Sequence, residues 1–183
     1  MKRLYIGVLW MVFSLSILQA KEIKMSSPDE KYQFTLSDEG GNLHYSLNWN
    51  AKETIKPSLL GIKANTIWRD HLSLGDMTTA EQDTVWHPVY GERSTIKDQY
   101  KAWSVVINRQ NSRDKLVLDI RAYNEGIAFR YRFPGGQYLK ITDELLNILY
   151  RKEQKLTLSS RAQTPYEFLP LEDGPVNQTV RCF

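Results

Sequence analysis

The residues with the clearest potential to bind a ligand lie between Trp86 and Glu92, where the chain reads Trp-His-Pro-Val-Tyr-Gly-Glu. The faces of Trp86 and Tyr90 suit the C–H-rich faces of sugars, and Glu92 can accept hydrogen bonds from hydroxyl groups. Large aromatic side chains more often fill a protein core. The segment therefore predicts either a carbohydrate contact or core packing by Trp86 and Tyr90.

Three arginines, Arg121, Arg130 and Arg132, fall on the polar faces of two neighbouring predicted strands. Pairing across these strands with Asp119 or Glu125 is the first interpretation. Arginine is also favoured at polar interfaces. The second interpretation therefore gives Arg130 a contact with sugar hydroxyls or with a neighbouring domain.

Catalytic motifs are absent from the sequence. The histidines are His44, His71 and His87, and they form no His-Glu-x-x-His or His-x-His pattern that predicts a metal hydrolase. No Gly-x-Ser-x-Gly turn or phosphate-binding loop is present. Glycosidases need two carboxylates at a fixed separation, and sequence alone does not pair Glu92 with another acid. No catalytic residue is predicted.

The first twenty residues have the layout of a secretory signal. Lys2 and Arg3 precede an apolar run over residues 4–18, and Ala20 precedes a charged stretch. The run is shorter than the roughly 20 apolar residues of a membrane span, so cleavage after Ala20 is favoured over a membrane anchor. We therefore predict a periplasmic or secreted protein with no stable membrane insertion after cleavage.

Charge and cysteine content exclude two further classes. Loss of Lys2 and Arg3 lowers the formal net charge from +3 to +1 (3 − 2), and no basic run remains to bind nucleic acid. The single cysteine, Cys182, has no partner for an intramolecular disulfide. This composition fits an exported domain that depends on a large core rather than on disulfides.

Period-two alternation of apolar residues predicts an all-β fold of antiparallel sheets, a sandwich or barrel. Two hairpins are clear, one over residues 32–49 with a turn at 39–42, and one over 116–133 with a turn at 124–126. Residues 68–84 predict a long loop or weak strands. Leu145, Leu146 and Leu149 have helical spacing, so one short helix within residues 142–154 remains open.

Four stretches in order resemble the N-terminal domain of glycoside hydrolase family 97, from about residue 22 to residue 173. They are Ser27-Pro28-Asp29, Pro57-Ser58-Leu59-Leu60-Gly61-Ile62, Trp86-His87-Pro88-Val89-Tyr90-Gly91-Glu92 and the segment from Arg121 to Phe133. The resemblance implies an exported bacterial α-glycosidase. The enzymes of this family are mostly α-glucosidases and α-galactosidases. It also implies an antiparallel β-super-sandwich of the galactose-mutarotase-like type for residues 21–173.

In that family the catalytic carboxylates lie in a (β/α)₈ barrel that follows the sandwich, and the barrel is missing from this chain. The resemblance further implies α-linked oligosaccharide substrates and an active-site calcium ion. One calcium ligand can come from the N-terminal domain, and Glu167 is the candidate here. We therefore expect this chain, an incomplete sandwich, to be inactive alone and to need no cofactor by itself.

Residues 174–183 do not resemble the family, and a single-base frameshift is our hypothesis for this tail, including Cys182. A sandwich cut short would leave strand edges unpaired, which predicts poor solubility or partial unfolding. Two alternatives to a glycosidase fragment remain open: a stand-alone exported carbohydrate-binding module and an interaction protein of the cell envelope.

Overall fold

The computed structural model of the chain describes residues 20–135, 138–150, 155–158, 167–170 and 173. The predicted signal sequence up to residue 19 and the tail from residue 174 lie outside these residues. The strands are β1 (Glu22–Ser26), β2 (Tyr32–Ser37), β3 (Leu43–Trp49), β4 (Lys52–Lys63), β5 (Ile67–Trp68), β6 (Leu72–Trp86), β7 (Ile96–Arg109), β8 (Lys115–Tyr123), β9 (Gly126–Arg132), β10 (Asp143–Leu146), β11 (Leu149–Tyr150), β12 (Lys155–Leu158) and β13 (Glu167–Pro170).

The strands form two main antiparallel sheets and one small one. In the first sheet the order is β1-β2-β3-β4-β10, and β5 and β11 also pair with β4. The second sheet has the order β6-β7-β8-β9, and β12 pairs with β13. The predicted all-β antiparallel sandwich is confirmed.

The core lies between the two main sheets, because alternate residues of each strand point to the same side. Leu36, Val105, Ile107, Leu118 and Ile120 are completely buried there. The buried cluster combines both sheets and consists of Ile23, Met25, Phe34, Leu36, Leu43, Tyr45, Leu60, Ile62, Trp68, Leu72, Leu74, Val105, Ile107, Leu116, Leu118 and Ile120.

Both predicted hairpins are confirmed. The pair Ser37 and His44 closes the β2–β3 ladder, around a 3₁₀ turn over Glu39–Gly41. Gly40 has φ 62°, a left-handed conformation that glycine adopts without strain. Tyr123 pairs with Gly126 at the end of the β8–β9 ladder. The alternating patterns therefore identified the strands whose one face is buried.

The structure decides two alternatives that the sequence left open. Of the long loop and the weak strands considered for residues 68–84, strand is confirmed, because residues 72–86 form a fifteen-residue strand paired with β7. Beyond Leu74 most of this strand is exposed, so its sequence lacks the alternation that a half-buried strand shows. No helix forms within the described residues of 142–154, where β10 and β11 pair with β4 instead. Pairing with an existing sheet outweighed the local helical spacing of the leucines.

Two of the family-like stretches have structural roles. Ser27 is completely buried, and its hydroxyl donates to Asp29 Oδ1 at 2.6 Å and accepts from the Tyr32 backbone N–H at 3.1 Å. The backbone N–H of Asp29 donates to Asn124 Oδ1 at 3.0 Å. Because Asn124 lies between β8 and β9, this bond joins the turn after β1 to the opposite sheet.

The stretch from Pro57 to Ile62 belongs to β4. The buried Ser58 hydroxyl donates to the Lys56 carbonyl at 2.6 Å and accepts from the Leu149 backbone N–H at 3.0 Å. At Gly61 an added Cβ would lie 2.6 Å from the Trp68 carbonyl oxygen. This stretch therefore allows β5 and β11 to approach β4 closely.

Within the part of the chain that the structure describes, no helix combines the length and the apolar character of a membrane span.

Candidate functional site

An open groove lies on the outer face of the β6–β9 sheet, the face turned away from the core. Its volume is about 590 Å³, which falls within the range of small-molecule sites. Residues that alternate with the core residues of β7, β8 and β9 point into it, so the same period that builds the core also builds the groove. The groove therefore collects polar and aromatic side chains from four adjacent strands.

Small side chains form the floor of the groove. Ala80 pairs with Ala102 across β6 and β7, and Ala102 pairs in turn with Arg121 on β8 and through it with Ala128 on β9. Alanine leaves room that a larger side chain would fill. The row of alanines therefore explains why the outer face of the sheet has a depression at this position.

On one side of this floor, Asp119 accepts hydrogen bonds from three side chains. Arg132 donates to both of its oxygens, from Nε to Oδ2 at 2.9 Å and from Nη2 to Oδ1 at 3.0 Å. Arg130 Nε donates to Oδ2 at 3.1 Å, and the Ser104 hydroxyl donates to Oδ1 at 2.7 Å. These hydrogen bonds lower the pKa of Asp119 far below its usual value, and the bond from Arg132 has the largest effect. Burial opposes the shift. Asp119 is therefore ionised at all ordinary pH values.

Arg121 lies within the row of alanines, between Ala102 and Ala128, and its guanidinium group stacks on an aromatic pair. Its guanidinium carbon is 4.5 Å from the ring centre of Tyr100. Its Nη1 donates to the Tyr123 hydroxyl at 3.4 Å, and the two tyrosine rings are 5.1 Å apart. Stacking on aromatic faces is a property of the planar guanidinium. This part of the groove therefore presents flat aromatic and cationic surfaces to a ligand.

The segment that follows β6 exposes its large side chains. Trp86 is 50% exposed and Tyr90 is 90% exposed, so the prediction that they fill the core is wrong. Glu92 is also exposed. His87 Nδ1 lies 2.9 Å from the Ser94 carbonyl oxygen, which fastens the segment across its base.

Trp86 points to the same side of the sheet as the groove. It pairs with Ile96 in the β6–β7 ladder, four residues along β7 from Tyr100. Residues an even number apart on a strand share a face, and four residues span about 13 Å. Trp86 therefore lies on the same face of the sheet as the groove, near the end of the β6–β7 hairpin, and is not one of the residues that line the groove.

The structure brings together only some of the predicted site residues. Cross-strand pairing with Asp119 is confirmed for Arg130 and Arg132, whereas Arg121 contacts Tyr100 and Tyr123. Arg130 remains 71% exposed and lines the groove. Tyr100, Tyr123 and Ser104 were missed as site residues. Finding them requires the register between β7 and β8, which the sequence does not supply.

The described residues do not form a calcium site by themselves. They contain no group of three or more His, Cys, Asp or Glu side chains arranged to hold a metal ion. Glu167 lies at the start of β13, where its backbone pairs with Leu158, but its side chain lies outside the description. A calcium-binding role for Glu167 in a larger assembly stays a prediction.

The fold and the groove define an antiparallel two-sheet β-sandwich domain with a ligand-sized depression on one outer face. Residues 25–174 match the family described as glycosyl-hydrolase 97 N-terminal. The chain belongs to this family, and the resemblance noted in the sequence is confirmed.

The relatives are much longer than this chain. A retaining alpha-galactosidase of Bacteroides thetaiotaomicron is 22% identical over 147 residues, which cover 79% of this chain and 21% of that protein. A glycoside hydrolase family 97 enzyme from Pseudoalteromonas sp., solved in complex with panose, superposes with a TM-score of 0.72 and 23% identity over 82% of this chain and 25% of its own. A beta-arabinopyranosidase superposes with a TM-score of 0.70 and 21% identity over 82% of this chain and 27% of its own. The chain thus spans about a fifth to a quarter of these proteins.

Proposed function

We propose that this chain is an accessory domain of a family 97 α-glycosidase, that it forms one wall of the substrate pocket, and that it is inactive alone. In the intact enzyme, a separate catalytic barrel would act on an α-linked oligosaccharide. Family membership and the fraction of the relatives' length that the chain spans support this proposal.

The chemistry of the groove supports inactivity. A glycosidase needs one protonated carboxyl group as general acid and a second carboxylate as nucleophile or base. Both oxygens of Asp119 accept hydrogen bonds from arginine, and the pKa of this carboxyl is lowered. A carboxyl group held in the ionised state does not donate a proton at neutral pH, so Asp119 does not suit the role of general acid. Asp119 therefore has a structural role in shaping the groove.

The observation that carries the proposal is the exposure of Trp86 and Tyr90 on a hairpin beside the groove. An exposed aromatic ring is costly to leave in water and becomes useful when a sugar ring or a neighbouring domain covers it. Arg121, Arg130 and Glu92 supply hydrogen-bonding groups for hydroxyls or for the barrel surface. Calcium would be held mainly by barrel residues, with Glu167 as the one candidate ligand from this chain.

Fluorescence titration of the purified chain with panose tests this role. We expect weak binding, with a Kd in the millimolar range or about −4 kcal/mol, which Trp86→Ala weakens at least threefold. Trp49→Ala is the matched control, because Trp49 is 48% exposed and lies at the end of β3 in the opposite sheet. Equal effects of the two substitutions would contradict a sugar contact at Trp86.

Hydrolysis of nitrophenyl α-glucoside and nitrophenyl α-galactoside tests the second half of the proposal. We expect no turnover by the purified chain above the rate of a heat-denatured sample. Turnover that follows the chain through a sizing column would overturn the claim that it is inactive alone.

The alternative function is that of a stand-alone exported carbohydrate-binding module, which the same exposed aromatic pair favours. The two proposals differ in affinity. A stand-alone module must hold its sugar without a barrel, so micromolar binding of panose by the chain alone would favour it. Export is proposed for both functions, and it predicts that the protein is recovered from the periplasm or the medium after cell fractionation.

A further inference from the structure

Asp38 forms hydrogen bonds with Lys21, at the N-terminal end of the folded domain. Asp38 follows β2, and its backbone N–H donates to the Lys21 carbonyl at 3.2 Å, which extends the β1–β2 ladder by one pair. In return the backbone N–H of Lys21 donates to Asp38 Oδ1 at 2.7 Å. Lys21 is also the residue that would become the N-terminus if the predicted signal were cleaved after Ala20.

The same carboxylate connects the two sheets. Asp38 Oδ2 accepts a hydrogen bond from the Leu74 backbone N–H at 2.9 Å. The Lys21 ammonium donates to the carbonyls of Leu74 and Gly75 at 3.3 and 2.9 Å. The β6–β7 register shifts between Leu74 and Met77, so local backbone groups there need partners outside the ladder. Lys21 and Asp38 together supply these partners.

We propose that hydrolysis of the Ala20–Lys21 peptide bond creates a terminal ammonium that forms an ion pair with Asp38, so that removal of the leader strengthens the link between β1 and β6. A signal peptidase would catalyse the step. Water adds its hydroxyl to the Ala20 carbonyl and a proton to the Lys21 nitrogen. The new amine takes up a further proton at neutral pH, because an α-amino group titrates at about 8.

The gain comes from the charge on the donor. Before cleavage, Lys21 offers Asp38 one neutral peptide N–H at 2.7 Å. After cleavage the same nitrogen carries a full positive charge, so a Coulomb attraction to the Asp38 carboxylate adds to the hydrogen bond that is already present. Ala20 is exposed, so the bond to be cut lies at the surface of the fold. Cleavage one residue later would remove Lys21 and both of its links to β6.

Two chains that differ only by Ala20 test the proposal. One begins at Lys21 and the other at Ala20, each released from a fusion partner and each ending at residue 183. We expect the chain that begins at Lys21 to melt about 2–4 °C higher, and Asp38→Asn to abolish this difference. Glu39→Gln is the matched control, because Glu39 is an exposed acid next to Asp38 and should leave the difference intact.

Equal melting temperatures in the two wild-type chains would overturn the proposal, and so would a difference that persists in Asp38→Asn. If Asp38→Asn does not fold, salt provides the second measurement. An ion pair predicts that the difference shrinks at high ionic strength, and an unchanged difference contradicts it. Mass spectrometry of the exported protein adds an independent arm, for which an N-terminal residue other than Lys21 is the contradicting result.

Discussion

Arg132 holds the Asp119 carboxylate at two points, with distances of 2.9 Å from Nε to Oδ2 and 3.0 Å from Nη2 to Oδ1. The two residues lie on adjacent strands but are not directly paired, since Asp119 pairs with Arg130 and Arg132 pairs with Val117. This diagonal contact links β8 and β9 at the groove. The Asp119 side chain is 16% exposed, so little water competes for its oxygens.

Asp119→Asn should lower the free energy of unfolding at pH 7 by about 1–3 kcal/mol, because hydrogen bonds to a charged group are lost. The pKa of Asp119 is lowered in the folded state. The ionised carboxylate therefore contributes stability above its unfolded pKa of about 4, and this contribution declines as the pH falls further. Urea unfolding should show the largest difference between wild type and variant at neutral pH and a shrinking difference in acid. Asp83→Asn is the control, because Asp83 and Lys97 form an exposed pair at 3.8 Å, and such pairs contribute about 0–1 kcal/mol.

Arg132→Ala should destabilise the domain more than Arg130→Ala. Arg132 makes two hydrogen bonds to Asp119, whereas Arg130 makes one at 3.1 Å and is more exposed, at 71% against 47%. We expect Arg132→Ala to lower the melting temperature at least twice as much as Arg130→Ala does. Thermal unfolding of the two variants gives the order, and a larger loss for Arg130→Ala would contradict the bidentate geometry.

Gly61→Ala should destabilise the fold by about 1–3 kcal/mol, the usual cost of overpacking. The new Cβ would lie 2.6 Å from the backbone carbonyl oxygen of Trp68, and backbone atoms do not move aside cheaply. Lys63→Ala is the control in the same strand, since Lys63 is exposed and its loss should change the free energy of unfolding by about 0.5 kcal/mol or less. A neutral Gly61→Ala would show that β5 does not approach β4 this closely.

Two tryptophans should respond differently to truncation. Trp68 is 1% exposed, packs edge-on against Phe133 at 6.2 Å and lies under the Arg109 guanidinium at 5.7 Å. Trp68→Ala should cost about 3–5 kcal/mol, whereas Trp86→Ala should stay within about 0.5 kcal/mol. Chemical denaturation of both variants measures the two free energies of unfolding. A large loss of stability for Trp86→Ala would indicate that Trp86 is buried and would contradict the prediction.

The chain alone should self-associate at raised concentration. In the described residues β6 pairs only with β7, so its other edge is open beyond the Leu74 and Gly75 backbone groups that Lys21 and Asp38 bind. The side chains exposed near this open edge are Val85, Trp86, Val89 and Tyr90. Open edges beside apolar side chains template further pairing. Light scattering of column fractions should show a mass that rises with concentration, and a constant monomer mass would contradict the expectation.

Sequence patterns predicted strands well where one face is buried and poorly elsewhere. The β2–β3 and β8–β9 hairpins follow from alternating apolar residues and their turns. The exposed half of β6 shows no such alternation, and β10 carries leucines at helical spacing but pairs with β4. In both cases pairing with a distant strand decided the conformation. A local sequence pattern carries no information about which distant strand that is.

By itself the sequence determined an antiparallel β fold, the family, a choice of Asp119 or Glu125 as partners for the arginines of the β8–β9 hairpin, and the aromatic segment from Trp86 to Glu92. Only the tertiary structure decided that Trp86 and Tyr90 are exposed, that Tyr100 and Tyr123 meet Arg121, and that Lys21 and Asp38 join the two sheets. The physical reason is that alternation fixes which side of a strand a residue occupies. Register and sheet packing fix which distant residues share that side.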